Sequence, residues 1–406
     1  MARRKIAIIG GGVAGLAAAH VLGRTDEVTI FEADGRLGGH AHTHGVGGTA
    51  VDSGFIVYNE ATYPLLTRLF RELGVTTQPS DMSMSVSCGG CGLEYAGGRG
   101  PVGLFAQPRL RGRGPYLRML SEVPRFHRAA RRSLDGGDER TLGEFARGHS
   151  PYFVSHFLTP LVSAVWSCAP SIAGRYPARY LFRFLANHGM LSVGGSPRWR
   201  TVTGGSRTYV ERVGQSAEVH TGTPVSNLRR VPDGVELEAG GTQHFDAAVV
   251  GTHADQALRL LAEPTTDERT VLGAFGYSRN ATVLHTDPAV LPRARGARAS
   301  WNYRMASCSA RHDSVRVSYD MNRLQRLEGP TRYLVTLGEE VADDQVIARM
   351  VYEHPVYTPE ALEAQGRLAS LNDSRIAFAG AYHGWGFHED GCRSGVQAAE
   401  ALGGRW

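Results

Sequence analysis

The chain has 406 residues, 42% hydrophobic and 20% charged, with 51 glycines; that is enough for about two to three domain-sized units and too apolar for extended disorder. Its net charge of +5 rests on arginine, Lys5 being the only lysine, and no basic run carries interleaved aromatics, so nucleic acid is excluded as the expected partner. No run of about eighteen apolar residues occurs, so no transmembrane helix is expected, and the chain reads as cytoplasmic with at most peripheral membrane or lipid-enzyme contact.

Residues 1–5 and the apolar stretch after them imitate a signal peptide, but a glycine motif inside that stretch explains it better. Residues 6–9 read as a buried parallel strand. Gly10-Gly11-Gly12-Val13-Ala14-Gly15 follows and fits G-x-G-x-x-G. An Ala- and Leu-rich helix over 16–22 leads to a second β-branched run over 27–31, closed by Glu32. Gly10 allows the tight turn, Gly12 lets a pyrophosphate approach the backbone, and Gly15 lets the helix lie close on the strand. The helix start offers free N–H groups to phosphates. Glu32, 17 residues after Gly15, stands where an acid accepts ribose hydroxyls. Together these parts predict dinucleotide binding.

The next stretch, Glu32-Ala33-Asp34-Gly35-Arg36-Leu37-Gly38-Gly39-His40, resembles the E-x-x-x-R-x-G-G-(R/H) extension of FAD-binding flavoproteins of the amine oxidase and phytoene desaturase superfamily. The resemblance implies FAD and an α/β fold: a discontinuous Rossmann-like FAD-binding domain with an inserted α+β substrate domain containing a mixed sheet and helices. It also implies that Arg36 and the Gly38-Gly39 backbone hold the phosphates and ribityl region, with Val13, Ala14, Ala33 and His40 beside them.

His40, His42 and His44 alternate as on a strand face and read as polar lining near the ribityl chain rather than a metal site. Residues 51–59 return toward the cofactor, with Phe55 a cofactor contact and Tyr58 a reserve catalytic candidate. An amphipathic helix over 62–73 is core packing, and 80–95 is a glycine-broken hairpin. That hairpin holds Cys88 and Cys91. With five cysteines and no second pair or nearby histidine pair, the C-x-x-C reads as a hairpin, with no metal and no disulfide framework. Residues 97–114 read as a surface loop, 116–146 as helical, and the aromatic stretch 151–188 as helices that build core and could wall an apolar pocket.

A glycine turn at 204–205 opens a helix over 207–213, and Val225 falls in the next strand-like segment as a cofactor contact. Strands follow at 235–237 and 245–250. Ala247 to His253 resembles the superfamily's second FAD-domain strand and turn, which places Thr252 at the cofactor. Further strands are expected at 281–286, 300–303, 314–319 and 332–337. The scheme is an FAD-binding domain from 1–75, 201–262 and 369–406, and a substrate domain from 76–200 and 263–368.

The last block pairs a buried strand over 376–380 with a loop and a final helix opened by Asp390-Gly391. Gly380, Gly391, Ser394 and Gly395 match the superfamily's F-A-G-D…G-A-x-x-S-G pattern, with Ala381 in place of the acid. Gly380, Ala381, Glu389, Asp390 and Gly391 are therefore implied cofactor contacts. His388 and Glu389 are the first catalytic candidates, His383 and Tyr58 the second; Asp390 suits a helix cap. GGHAHT, TYPLLTRLFRELGV, ANHGML, SWNY and GFHEDG together are similar to a bacterial family of FAD-binding oxidoreductases often encoded beside cyclopropane-fatty-acyl synthases.

Many amine oxidases place a lysine near flavin N5, and this chain has none after Lys5. The leading expectation is an FAD-dependent oxidoreductase that dehydrogenates or desaturates a small, largely apolar fatty-acyl, polyketide or isoprenoid-like substrate. The alternatives are an FAD-dependent isomerase or cyclase without net redox, an amine oxidase, and a non-catalytic flavin-binding partner of a lipid-modifying enzyme.

Overall fold

Lys5–Ile9 and Glu27–Phe31 pair in parallel, and Lys5–Ile9 pairs on its other side with Ala247–Val250. The computed structural model, which describes residues 3–192, 197–309 and 314–406, completes this sheet with Glu218–His220 at one edge and Ile376–Phe378 at the other. Met1 and Ala2, the start of the stretch that imitates a leader, lie outside the described residues. All pairings are parallel, and the central strands are short apolar runs because both faces are covered.

On one face lies the helix Val13–Leu22, with nine of its ten residues buried. It is apolar all round because it is sandwiched between the sheet and the final helix, His388–Ala401. Small residues permit the approach. A Cβ on Gly395 would stand 2.1 Å from the Ala14 carbonyl oxygen, and one on Gly391 would stand 2.7 Å from a Val13 methyl.

A second sheet has seven strands. Its order is Val346–Val356, Gly276–His285, Leu334–Leu337, Val317–Asp320, Trp301–Met305, Met84–Cys88, Glu94–Gly97. Only the pair Trp301–Met305 with Met84–Cys88 is parallel, so the sheet is mixed, as expected. The helices Gly114–Asp135, Thr159–Trp166 and Ala178–Asn187 share its core. Phe126 lies at its centre, with Phe153 and Phe182 rings each 5.7 Å away in tilted and edge-on contact. No described helix is long and apolar enough to cross a membrane.

Two local readings change. Residues 97–114 hold the helix Gly100–Leu104 and the 3₁₀ turn Pro108–Gly112 instead of an open loop. Pro101 and Pro108 sit in first turns, where proline starts a helix. The run 245–250 is two strands in two sheets, Thr242–Phe245 and Ala247–Val250, divided at Asp246.

Candidate cofactor and substrate site

The glycine turn and both ends of the parallel sheet enclose an elongated cavity of about 720 Å³. Gly10, Gly12, Val13, Ala14, Glu32, Ala33, Arg36, Gly38, Gly39, His40, Val225, Thr252, Gly380 and Ala381 all line it. Gly10 turns at φ +99°, and a Cβ there would press on Gly251. A Cβ on Gly12 would meet no protein atom and would project into the cavity. The helix Val13–Leu22 has no side-chain cap, so its first N–H groups open onto this space. An uncapped helix start beside a bare glycine is the donor set a pyrophosphate needs, and FAD fits it.

The flanking loop is held by its own side chains. Glu32 accepts the Gly11 and Asp34 N–H groups at 2.7 and 2.9 Å. The Arg36 guanidinium donates to the Gly39 and Leu37 carbonyls at 2.8 and 3.2 Å. Val225 stands just before the strand Ser226–Val231 rather than within it, in a loop whose Thr223 N–H bonds the Glu32 carbonyl at 2.9 Å.

A second cavity, of about 360 Å³, opens on the first. Its walls are Met82, Met84, Leu161, Trp166, Phe184 and Trp301 with other apolar groups, and among the described residues no Asp, Glu, Lys or Arg lines it. The aromatic stretch does supply one wall. The two cavities share His40, Tyr352, His354, Pro355, Gly386, Phe387 and His388. The shared loop is fixed from the inserted helices. Trp166 Nε1 donates to the Trp385 carbonyl at 3.1 Å, and the Tyr180 hydroxyl to the Gly384 carbonyl at 2.7 Å.

The imidazoles at this junction are neutral. Burial pushes His388 down to about 3 and His354 to about 4, and holds His40 well below the ordinary value. His388 stacks on Phe55 at 3.7 Å, and its Nε2 shares a hydrogen bond of 3.0 Å with the Tyr209 hydroxyl. The Asn280 amide donates to His354 Nδ1 at 3.1 Å, which leaves the ring proton on Nε2. Tyr352, pushed up to about 12 by burial, bonds Ser53 at 2.7 Å and His42 at 3.1 Å.

Other candidates stand elsewhere. Glu389 lines neither cavity; its carboxylate accepts the Leu65 and Leu66 N–H groups at 3.1 and 3.0 Å, at the start of the helix Pro64–Glu72. Tyr58 is buried among Tyr63 and Phe70. His383 is half-buried beside Tyr382, outside both cavities, and desolvation pushes it down to about 4. Asp390 accepts the Trp385 and Phe387 N–H groups at 3.0 and 3.1 Å, as a cap of its own helix. Gly15 and Gly391 serve close packing, and Phe55 lines the apolar cavity instead of the cofactor cavity.

His354 and Tyr352 were not legible as site residues. They lie on Val346–Val356, a strand whose alternation is blurred by Arg349, Glu353 and Pro355. The C-x-x-C also has company the chain order hides. His156, 65 residues from Cys91, and Cys308, 220 residues from Cys88, are folded against it.

Comparison with known proteins agrees with the cavity. Residues 13–403 match the family of flavin-containing amine oxidoreductases. A Mycobacterium tuberculosis protein, AofH, named as a flavin-containing monoamine oxidase, is 28% identical over 228 residues. That match covers 54% of this chain and 49% of AofH, so the chain aligns with about half the length of the curated relatives it matches. Among solved structures, cyclohexylamine oxidase from Brevibacterium oxydans has a TM-score of 0.69 at 16% identity, over 98% of both chains. A CLA-producing fatty acid isomerase from P. acnes has a TM-score of 0.68 at 14% identity, over 97% of both chains. At such identities the likeness is one of fold. The glycine cradle, the split parallel sheet and the match along nearly the whole length make this chain a member of the FAD-dependent, flavin-containing amine oxidoreductase family.

Proposed function

We propose that the chain is an FAD-dependent oxidoreductase that dehydrogenates or desaturates a largely apolar substrate of acyl, polyketide or isoprenoid type. The observation that carries this reading is the uncharged cavity that meets the cofactor cavity at His388, Phe387 and His354. An ammonium-bearing substrate would find no carboxylate among the described residues of those walls. Lys5, the only lysine, lies on the first strand and lines neither cavity.

FAD, when bound, supplies a hydride acceptor. Gly12 and the N–H groups that follow it would hold the pyrophosphate, and Glu32 would hold the adenosine ribose. The first turn of His388–Ala401 directs its positive end toward the shared wall. The apolar walls exclude water and align the chain to be oxidised. His388 and His354, both neutral, can relay a proton by accepting it at one ring nitrogen and releasing one from the other, which leaves no charge among apolar groups.

The test is anaerobic mixing of purified holoenzyme with a panel of acyl chains and polyenes. Loss of oxidised-flavin absorbance with a product two hydrogens lighter is expected. Bleaching by amines alone would overturn the reading. The fold shared with a fatty acid isomerase favours one second reading, isomerisation in the same cavity, in which product mass equals substrate mass.

A further inference from the structure

At the end of the seven-stranded sheet away from the cofactor, Cys88, Cys91, His156 and Cys308 bring four ligand atoms within 4.8 Å of one another. We propose that they form a structural zinc site of three thiolates and one imidazole. Three parts of the chain converge there. Cys88 ends the strand Met84–Cys88, and Cys91 closes the turn after it. Cys308 lies three residues beyond the strand Trp301–Met305, the parallel neighbour of Met84–Cys88. His156 sits on a π-helical turn, Val154–Leu158, the kind of helical irregularity that re-aims a side chain.

Two opposite edges of the cluster have the lengths of an ion-sized tetrahedron, and all four ligand atoms lie within 4.8 Å of one another. With Zn–S of about 2.3 Å and Zn–N of about 2.0–2.1 Å, tetrahedral edges are about 3.8 Å between sulfurs and about 3.6 Å from sulfur to nitrogen. Cys88 Sγ and Cys308 Sγ are 3.8 Å apart, and Cys91 Sγ lies 3.5 Å from His156 Nε2. The sulfurs are free thiols.

The surroundings suit a metal. His156 Nδ1 lies 2.7 Å from the Ser155 hydroxyl and 3.2 Å from the Tyr152 carbonyl; a ring proton given to that carbonyl would leave the Nε2 lone pair toward the sulfurs. Arg113 donates to the Cys91 carbonyl at 3.1 Å and sets a cation beside a centre whose net charge would be −1. The intervening glycines are steric necessities. A Cβ on Gly89 would stand 2.9 Å from the Ala306 carbonyl, and one on Gly90 2.9 Å from the Cys308 nitrogen. Only a glycine turn lets the hairpin close on the segment that carries Cys308.

With four protein ligands the site is closed, so its role is structural. It ties the hairpin and the neighbouring strand to a turn that runs straight into the helix Thr159–Trp166. That helix gives Leu161, Val165 and Trp166 to the apolar cavity. The zinc thus braces one wall of the substrate cavity from behind.

Elemental analysis of the full-length holoenzyme, purified without chelator, should find about one zinc per chain. Protein made with cobalt in place of zinc should show thiolate-to-cobalt charge transfer and tetrahedral d–d bands. Cys91→Ser and Cys308→Ser should each lower zinc content by about tenfold or more, while Cys168→Ala keeps it. Should those variants fail to fold, mercurial titration of the wild-type protein decides, with three thiols consumed per zinc released. Zinc below about a tenth per chain, a cobalt spectrum without charge transfer, or a Cys88–Cys308 disulfide in freshly purified protein would each overturn the proposal. None of these readouts depends on what the flavin site oxidises.

Discussion

His388 combines three properties at one position: it lines both cavities, it is neutral by burial, and it shares its Nε2 hydrogen bond with Tyr209. His388→Ala is expected to slow turnover by about 10²- to 10³-fold with flavin content unchanged, measured by anaerobic single-turnover bleaching. Tyr58→Phe, at a buried side chain that lines neither cavity, should leave the rate within about twofold of wild type. Much at this scale was legible. The glycines and Glu32 declare themselves because phosphate approach demands missing side chains at fixed spacing. His354 did not, because one histidine on a half-buried strand carries no local pattern; only the fold sets it 5.2 Å from His40 in a stacked pair.

Glu389 illustrates how an element can claim a residue that a motif assigns to chemistry. Its two oxygens take the N–H groups of Leu65 and Leu66, so the final helix caps the start of Pro64–Glu72 across 324 and 323 residues of chain. Glu389→Ala leaves two buried or half-buried donors without their acceptor. It should lower folding stability by about 1–3 kcal/mol, read by urea denaturation, while single-turnover bleaching by the remaining folded enzyme stays near wild type. A fall in that rate comparable to His388→Ala would return Glu389 to the chemistry. Sequence places the residue on the loop before the final helix, whereas that helix begins at His388 and its first turn points successive side chains to different sides. The segment 97–114 misled for a related reason: glycine and proline mark breaks, yet proline also begins helices, and which it does depends on what lies behind it.

Across the whole molecule, burial holds twelve histidines below their ordinary value. Each resists protonation more when folded than when unfolded, so below about pH 6.5 the unfolded state binds more protons and stability falls as the pH falls. Five carboxyls raised by burial, Asp52 to about 6 among them, act in the opposite direction but are fewer. The urea midpoint should be level above about pH 7 and drop steadily from about 6.5 to 5; a midpoint that rises on acidification would contradict this. The fold class was readable because apolar runs and glycine turns recur in the spacing of a nucleotide-binding sheet. The pairing of Met84–Cys88 with Trp301–Met305 was not, since no local signal links strands so far apart in sequence. The edge strand Ile376–Phe378 has a further consequence for biosynthesis. Every residue before Ile376 must be synthesised before that strand and the helix behind it exist. Translation therefore cannot deliver a finished flavin cradle early: the cavity wall at Gly380 and Ala381 closes only once Ile376–Phe378 has been made and has paired with Ala247–Val250.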